Sequence, residues 1–559
     1  MPAWTRRELL WMAWASLLSG GLVACRGGAQ PTSTPTLGQG TPAPVTSPVA
    51  AATPAPTPTE APRRGGILVF NLPGDPVNFD LHQAGTSTDL WCLHPCFDSL
   101  LQFDPNDQTK LLPNLAERWE VSPDGLVYTF SLRRGVQFHD GSPFTSRDVV
   151  VNVERIISPP EGVNSPRAVF FDTVDHLEAP DDYTVRFVLT EPDPSLVYFV
   201  AIPWVGFYPA HLIESGADLR EPQNIIGTGP FRFKNYTPSV SYELERNPNY
   251  YDPQLPYLDG IVAYPMVDWN AASQSFLAGQ LHLYRSLTAP PLDLLENQPD
   301  VRVVGVPTLL VWTLYTNAMN VEAFKDERVR LAISLALDRE GLIAALTEGR
   351  SRLSGWMHPD GAWALPEERV RSVPGFGGDK AADIARAKQL LSEAGYPNGF
   401  DVELLAFNLD VSTPSYIADQ LGQVGIRVQT QILQLGEYVS RLQDRAYQLV
   451  LGFNAPWLDE PKATFASWMT NDPDTSFTGL WSDELIALFE RILRESDEDE
   501  RRTMVNELDY RTLAELSFGN IYVYRPVIWH VYRPGVVANW TPQPNYNLTE
   551  KHQFTWLRS

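Results

Sequence analysis

The spacing of apolar side chains along this chain changes between periods that suit strands and periods that suit helices. Ile67-Leu68-Val69-Phe70 is a continuous apolar run, which predicts a fully buried strand and the start of a folded body after Arg63-Arg64-Gly65-Gly66. From Leu126 to Leu132 the pattern alternates, with Tyr128, Phe130 and Leu132 on one face and Thr129 and Ser131 on the other, a half-buried strand. Phe138-His139-Asp140-Gly141 then marks a hairpin turn with His139 at the surface. Helical spacing appears at Val329, Ala332, Ile333, Ala336 and Leu337 behind a capping Asp326, and at Ala387, Leu390, Leu391 and Ala394 behind Asp383, with Gly395 as the stop. Thr413-Pro414 opens a third helix that buries Ile417, Leu421 and Val424 and ends at Gly425. Ile426, Val428, Thr430 and Ile432 then alternate as a strand with one wet face, and Tyr447 to Phe453 reads as a buried strand. Helices and strands interleave, which is mixed α/β architecture without internal repeats.

The N-terminus follows another logic. Arg6 and Arg7 precede a short apolar run, Leu9 to Ala24, that Ser16, Ser19, Gly20 and Gly21 interrupt. It closes on Leu22-Val23-Ala24-Cys25, small residues before a cysteine, the pattern of a bacterial lipoprotein signal. Residues 1–24 are therefore expected to be removed and Cys25 to carry lipid. The plainer readings are an ordinary signal peptide with a chance cysteine, or an uncleaved anchor. Thr5 to Leu10 also resembles a twin-arginine export signal, although a plain basic start would carry the same two arginines. Residues 25–62 are rich in Pro, Thr, Ala and Gly, with little to pack, and predict an extended tether of about 110 Å at most, at roughly 3.1 Å per residue.

The remaining body is too long for one compact core and suits two or three domains. Its later segments include no apolar run long enough to span a bilayer. A net charge of −24 disfavours nucleic acid as a partner. Beyond Cys25 only Cys92 and Cys96 remain, flanking His94. They could pair, or supply metal ligands with no evident fourth partner; buried or bridged structural cysteines fit better, and no metal or other cofactor is expected.

Several blocks then line up with a known family. Leu112-Pro113-Asn114-Leu115-Ala116-Glu117-Arg118-Trp119, Ser122-Pro123-Asp124-Gly125 and Phe138-His139-Asp140-Gly141 come first; Gly227-Thr228-Gly229-Pro230-Phe231 and Asn247-Pro248-Asn249-Tyr250-Tyr251 follow. Arg328 to Ala332 with Ala336 to Arg339, and Asp383 to Phe400, complete the set. In this order they resemble family 5 extracellular solute-binding proteins, the dipeptide, oligopeptide and nickel binding proteins of ABC importers. The resemblance implies a two-lobed Venus-flytrap (type II periplasmic-binding-protein) fold with an extra domain. The first lobe would comprise 63–105, 222–308 and 520–559, its extra domain 106–221, and the second lobe 309–519. It also implies partnership with an ABC permease and ATPase, a monomeric state, and an extracytoplasmic location at the membrane through the N-terminal lipid.

In peptide-binding members of the family, an aspartate four residues before a proline holds the peptide's α-amino group. Here the strip is Phe453-Asn454-Ala455-Pro456-Trp457-Leu458-Asp459-Glu460-Pro461, and the count from Pro461 lands on Trp457. The ammonium partner is therefore missing unless Asp459 or Glu460 serves from a shifted register. An indole there would instead suit the face of a sugar ring, with Asn454 and Asp459 serving hydroxyls. Phe453, Asn454, Ala455, Trp457 and Asp459 are the candidate ligand residues, with Trp91, Trp312 and Trp356 beside them and Trp468 as a further indole; core packing is the plainer role for each of these tryptophans. Peptide-like solute and oligosaccharide both stay open. A secreted glycoside hydrolase would need two carboxylates across a bond, and neither a Gly-x-Ser-x-Gly elbow nor a His-Glu-x-x-His motif is present. A solute sensor built on the same fold is the third class. No catalytic residue is expected.

Overall fold

The computed structural model describes residues 60–105, 107–286, 289–408, 411–542 and 551–558. The leader, Cys25 and nearly all of the tether lie outside them. Ile67–Leu72 runs parallel to Gly260–Pro265, followed across the sheet by Ser241–Arg246 and Phe231–Thr237. Leu68 and Phe70 are buried, but Ile67, opening an edge strand, is 47% exposed, so the apolar run is not wholly enclosed. A second, three-stranded sheet sets Val527–Tyr532 between Leu283–Ser286 and Arg302–Pro307.

An antiparallel sheet of Ala116–Val121, Val127–Leu132, Thr184–Leu189 and Val174–Asp181 forms a separate layer. Tyr128, Phe130 and Leu132 point into its core, as their alternation predicts. Helix Ser146–Ile157 packs on this sheet from a reciprocal cap between Thr145 and Asp148. The turn at Gly141 forms, with φ of +87°. His139, however, is half-buried and both ring nitrogens are engaged: its Nε2 meets Gly229 O at 3.1 Å and its Nδ1 accepts from Gly227 N at 3.3 Å. It ties the turn to the glycine block, and burial lowers its pKa to about 4. The glycines are needed there because a Cβ on Gly227 would lie 2.1 Å from Cys96 O.

The five-stranded sheet has the order Arg427–Leu433, Asp401–Phe407, Leu449–Asn454, Val311–Thr316, Asn520–Tyr524. Leu449–Asn454 is its central strand and all six residues are buried, which explains its unbroken apolar run. Asp326 caps helix Glu327–Ala336 as expected. The following long helix, Lys380–Glu393, is capped one turn earlier than the sequence suggests, by Asp379, whose carboxylate accepts from Ala381 N and Ala382 N. Asp383 sits inside that helix, paired with Lys380 at 3.1 Å.

The chain passes between the three-stranded and five-stranded sheets twice, at 308–310 and at 525–526, and the crossovers touch. Thr308 N donates to Pro526 O at 3.0 Å. Arg525, fully buried, donates to Thr308 O, Leu309 O, Gly355 O, Trp356 O and Met357 O at 2.6–3.0 Å and to Ser354 Oγ at 3.0 Å. One side chain thus fastens both crossovers and the loop beside them. Among the described residues no helix is long and apolar enough to cross a membrane.

Candidate functional site

Leu449–Asn454 delivers its last residues to the end of the five-stranded sheet that the neighbouring strand Val311–Thr316 enters. Phe453 pairs in register with Trp312, and their rings meet edge to face at 5.7 Å; Phe407 closes the group at 6.0 Å from Phe453. Asn454 is buried and its Nδ2 donates to Thr464 O at 3.3 Å, while Ala455 is half-buried. The strip leaves the sheet through Pro456. Glu460 then caps the short helix Pro461–Phe465, accepting from Ala463 N at 3.1 Å with proline in the first turn.

Between strand and helix the strip leaves its own lobe's packing. Trp457 and Leu458 belong to the hydrophobic core built by residues between Leu68 and Leu283 together with Ile528, Val537 and Leu557. The Trp457 indole meets Trp204 edge to face at 4.3 Å and keeps 8% of its surface exposed. Asp459 turns the other way. Its Oδ1 accepts from His358 N at 2.9 Å, and Gly361 is packed so close that a Cβ there would overlap the carboxylate. Burial pushes the Asp459 carboxyl up to about 7, against the His358 N–H and Arg525, which favour the charged form.

Glu460 is fully buried: its Oε1 accepts from Ser195 Oγ at 2.7 Å and from Arg501 at 2.5 Å. Lys462 donates to Asp193 at 2.7 Å and to Asp172 at 2.6 Å. Burial opposes the charge of Lys462, but the two aspartates outweigh it and hold the ammonium above its usual range. Neither acid of the strip therefore offers an uncommitted carboxylate to a ligand ammonium in this conformation.

The other predicted indoles lie elsewhere. Trp356 is 1% exposed, in a cluster with Trp468 at 5.4 Å and Tyr522 at 5.8 Å. Trp91, on helix Ser87–Leu93, is covered by the Arg285 guanidinium at 4.3 Å. The structure thus joins Phe453 with Trp312 and holds Trp457 and Asp459 on opposite sides of the strip. Ser195, Asp193, Trp204, Arg501 and Arg525 carry no sequence signal; only the fold brings them to the strip. Cys92 and Cys96 are buried and unbridged, with both thiols pushed up by burial, and among the described residues no cluster of His, Cys, Asp and Glu forms that could hold a metal ion.

Two lobes built on separate sheets and joined by paired crossovers define the type II periplasmic-binding-protein fold. Solved structures agree: the periplasmic binding protein DppA from Helicobacter pylori, in complex with the peptide STSA, superposes with a TM-score of 0.71 at 24% identity over 89% of this chain and 99% of that one. The substrate-binding protein CtaP from Listeria monocytogenes gives a TM-score of 0.75 at 24% identity, over 89% of this chain and 100% of its own. Among sequence relatives, di/tripeptide-binding protein 1 of Pseudomonas aeruginosa is 28% identical over 69% of this chain and 75% of its own length. The glutathione-binding protein GsiB of Pectobacterium atrosepticum is 27% identical over 78% and 85%. The family model for bacterial extracellular solute-binding proteins, family 5, matches residues 110–476. The chain belongs to that family, the substrate-binding proteins of ABC importers.

Proposed function

We propose that this protein is the receptor of an ABC importer for a peptide or peptide-like solute, lipidated at Cys25 and held outside the cytoplasmic membrane by residues 26–62. On this reading the first lobe, expected as 63–308 with 520–559, regains the chain only after the crossover at 525–526, and the strand Asn520–Tyr524 joins 309–519 in the second lobe. The lobes close over the solute, bending at the crossovers, and present it to a permease; ATP hydrolysis elsewhere drives transport and this chain performs no catalysis. The observation that carries the reading is the pair of adjacent crossovers between two separately built sheets, in a chain whose relatives bear peptide-binding names over most of their length. Phe453, Asn454, Ala455 and Trp312, at the end of the central strands, are the ligand residues we put forward first.

One observation favours a second reading, an oligosaccharide receptor: Trp457 stands where the amine-binding aspartate is expected, and Asp459 and Glu460 are both engaged with protein groups. Thermal-shift scans against di-, tri- and oligopeptides and against oligosaccharides separate the two. A solute held by the closed form raises the melting temperature in step with its concentration. Stabilisation by peptides supports the first reading, and stabilisation by sugars alone replaces it with the second. No shift with either class removes both substrate assignments.

A further inference from the structure

The segment that leaves the central strand does more than line a cleft. Residues 457–462 cross to the other lobe and are received there by two kinds of contact. Trp457 and Leu458 enter the apolar core of the first lobe beside Trp204. Glu460 and Lys462 enter a polar socket on the extra domain, formed by Ser195, Asp193 and Asp172. The socket is itself organised: Asp193 accepts from Thr173 Oγ1 at 2.9 Å and from Ser195 N at 3.0 Å, and Ser195 Oγ also accepts from Arg501 at 2.8 Å. Asp193, Ser195, Glu460 and Arg501 are each no more than 2% exposed. Asp172 lies at the rim, its side chain 54% exposed.

Resting on the lobe-closure reading above, we propose that residues 457–462 are the closure latch of the receptor, with Lys462–Asp193 and the Ser195 contacts of Glu460 and Arg501 as pairings that exist only while the lobes are together, the Glu460–Arg501 pair staying within the second lobe. The physical case is a matter of solvation. In an open form Lys462 and Asp193 return to water, where each is well satisfied. In the closed form both are buried and each depends on the other across the interface, while Glu460 keeps Arg501 and gains or loses only the Ser195 hydroxyl. Such pairs add little to affinity by themselves but tolerate no misalignment, so they select one closed register. The strip also begins at Phe453–Ala455, so a solute that positions the start of the strip aligns the latch at its end. Lys462 and Glu460 are on this account positioning residues.

Hydrogen–deuterium exchange of the unliganded protein tests the proposal without a known solute. Wild-type protein should show shared, intermediate protection of segments 191–199 and 456–466. Lys462→Met leaves Asp193 without its cation in the closed form and should speed exchange in both segments severalfold, up to the limit of the protection that partial closure gives the wild type. Strands Val127–Leu132 and Asp401–Phe407, inside the two bodies, should keep their protection. The double variant Lys462→Met with Asp193→Asn removes both charges and should recover much of the loss. Unchanged exchange in Lys462→Met, or unprotected segments in the wild type, would refute the latch. Faster exchange in Asp401–Phe407 as well would reduce Lys462 to a support of its own lobe. Peptide-independent exchange results leave the solute assignment to the thermal-shift scans, so either can fail alone.

Discussion

Arg525 offers the sharpest test of how the two lobes are joined. Its guanidinium serves five backbone carbonyls and one hydroxyl on two segments, Thr308–Leu309 and Ser354–Met357, with no water exposure. Replacing it with methionine keeps the approximate volume and strands the carbonyls of Thr308, Leu309, Trp356 and Met357, while Gly355 O and Ser354 Oγ keep each other and Tyr522 as partners. A hydrogen bond to a charged group contributes about 1.5–3 kcal/mol, and an abandoned buried acceptor costs about 1–3 kcal/mol. These terms overlap, and water entering the junction recovers part of them, so Arg525→Met is expected to cost about 5 kcal/mol. Lysine brings three donors to the same six acceptors and should lose roughly half as much. Urea denaturation followed by circular dichroism measures both, provided the transition midpoints are compared at constant slope. A loss below about 1 kcal/mol for the methionine variant, the size of an ordinary surface change, would contradict the claim that Arg525 holds the crossovers. So would a lysine variant as stable as the wild type.

Other expectations follow from the same geometry. Asp459 has a folded-state pKa of about 7 against an ordinary value of 3.8, so the folded protein favours its neutral form. That contribution is intact below the ordinary value and is lost as pH rises toward 7. Asp459→Asn, which keeps an acceptor for His358 N, should gain stability relative to wild type across that window; parallel pH profiles would overturn the burial argument. Gly227→Ala forces a Cβ onto Cys96 O and should cost about 3 kcal/mol by thermal denaturation, whereas the open position Gly436 should accept alanine with a change within about 0.5 kcal/mol. Cys92 and Cys96, buried as thiols, should stay unlabelled by iodoacetamide until denaturant is added, with labelling read by mass spectrometry.

What the sequence discloses here is local. The alternation of Tyr128, Phe130 and Leu132, the cap at Asp326, and the buried run before Phe453 depend on near neighbours and on period, and all appear as elements. Where two local signals compete, period alone does not decide: Asp379 and Asp383 sit about one turn apart, and the cap falls on the residue whose carboxylate reaches the first free N–H groups. The socket of Asp172, Asp193 and Ser195 was illegible for a different reason. Ser195 and Glu460 are separated by 265 residues and Ser195 and Arg501 by 306, and neither end carries a pattern that points to the other. Likewise, nothing local distinguishes a His139 at the surface of a turn from one that bonds a distant glycine loop. Counting four residues back from Pro461 found the departure at Trp457 but not that its ring is received by Trp204.

The central claim is that a solute brings two lobes together. Val240, in the turn before strand Ser241–Arg246 of the four-stranded sheet, and Ile432, on strand Arg427–Leu433 of the five-stranded sheet, are 58% and 41% accessible and suit a pair of spin labels. Distances between them should be measured with no solute, with a pool of di- and tripeptides, and with a pool of oligosaccharides. A shift of the distribution to shorter distances with the peptide pool is the expected result. A distribution that neither pool changes would contradict a receptor that works by closing.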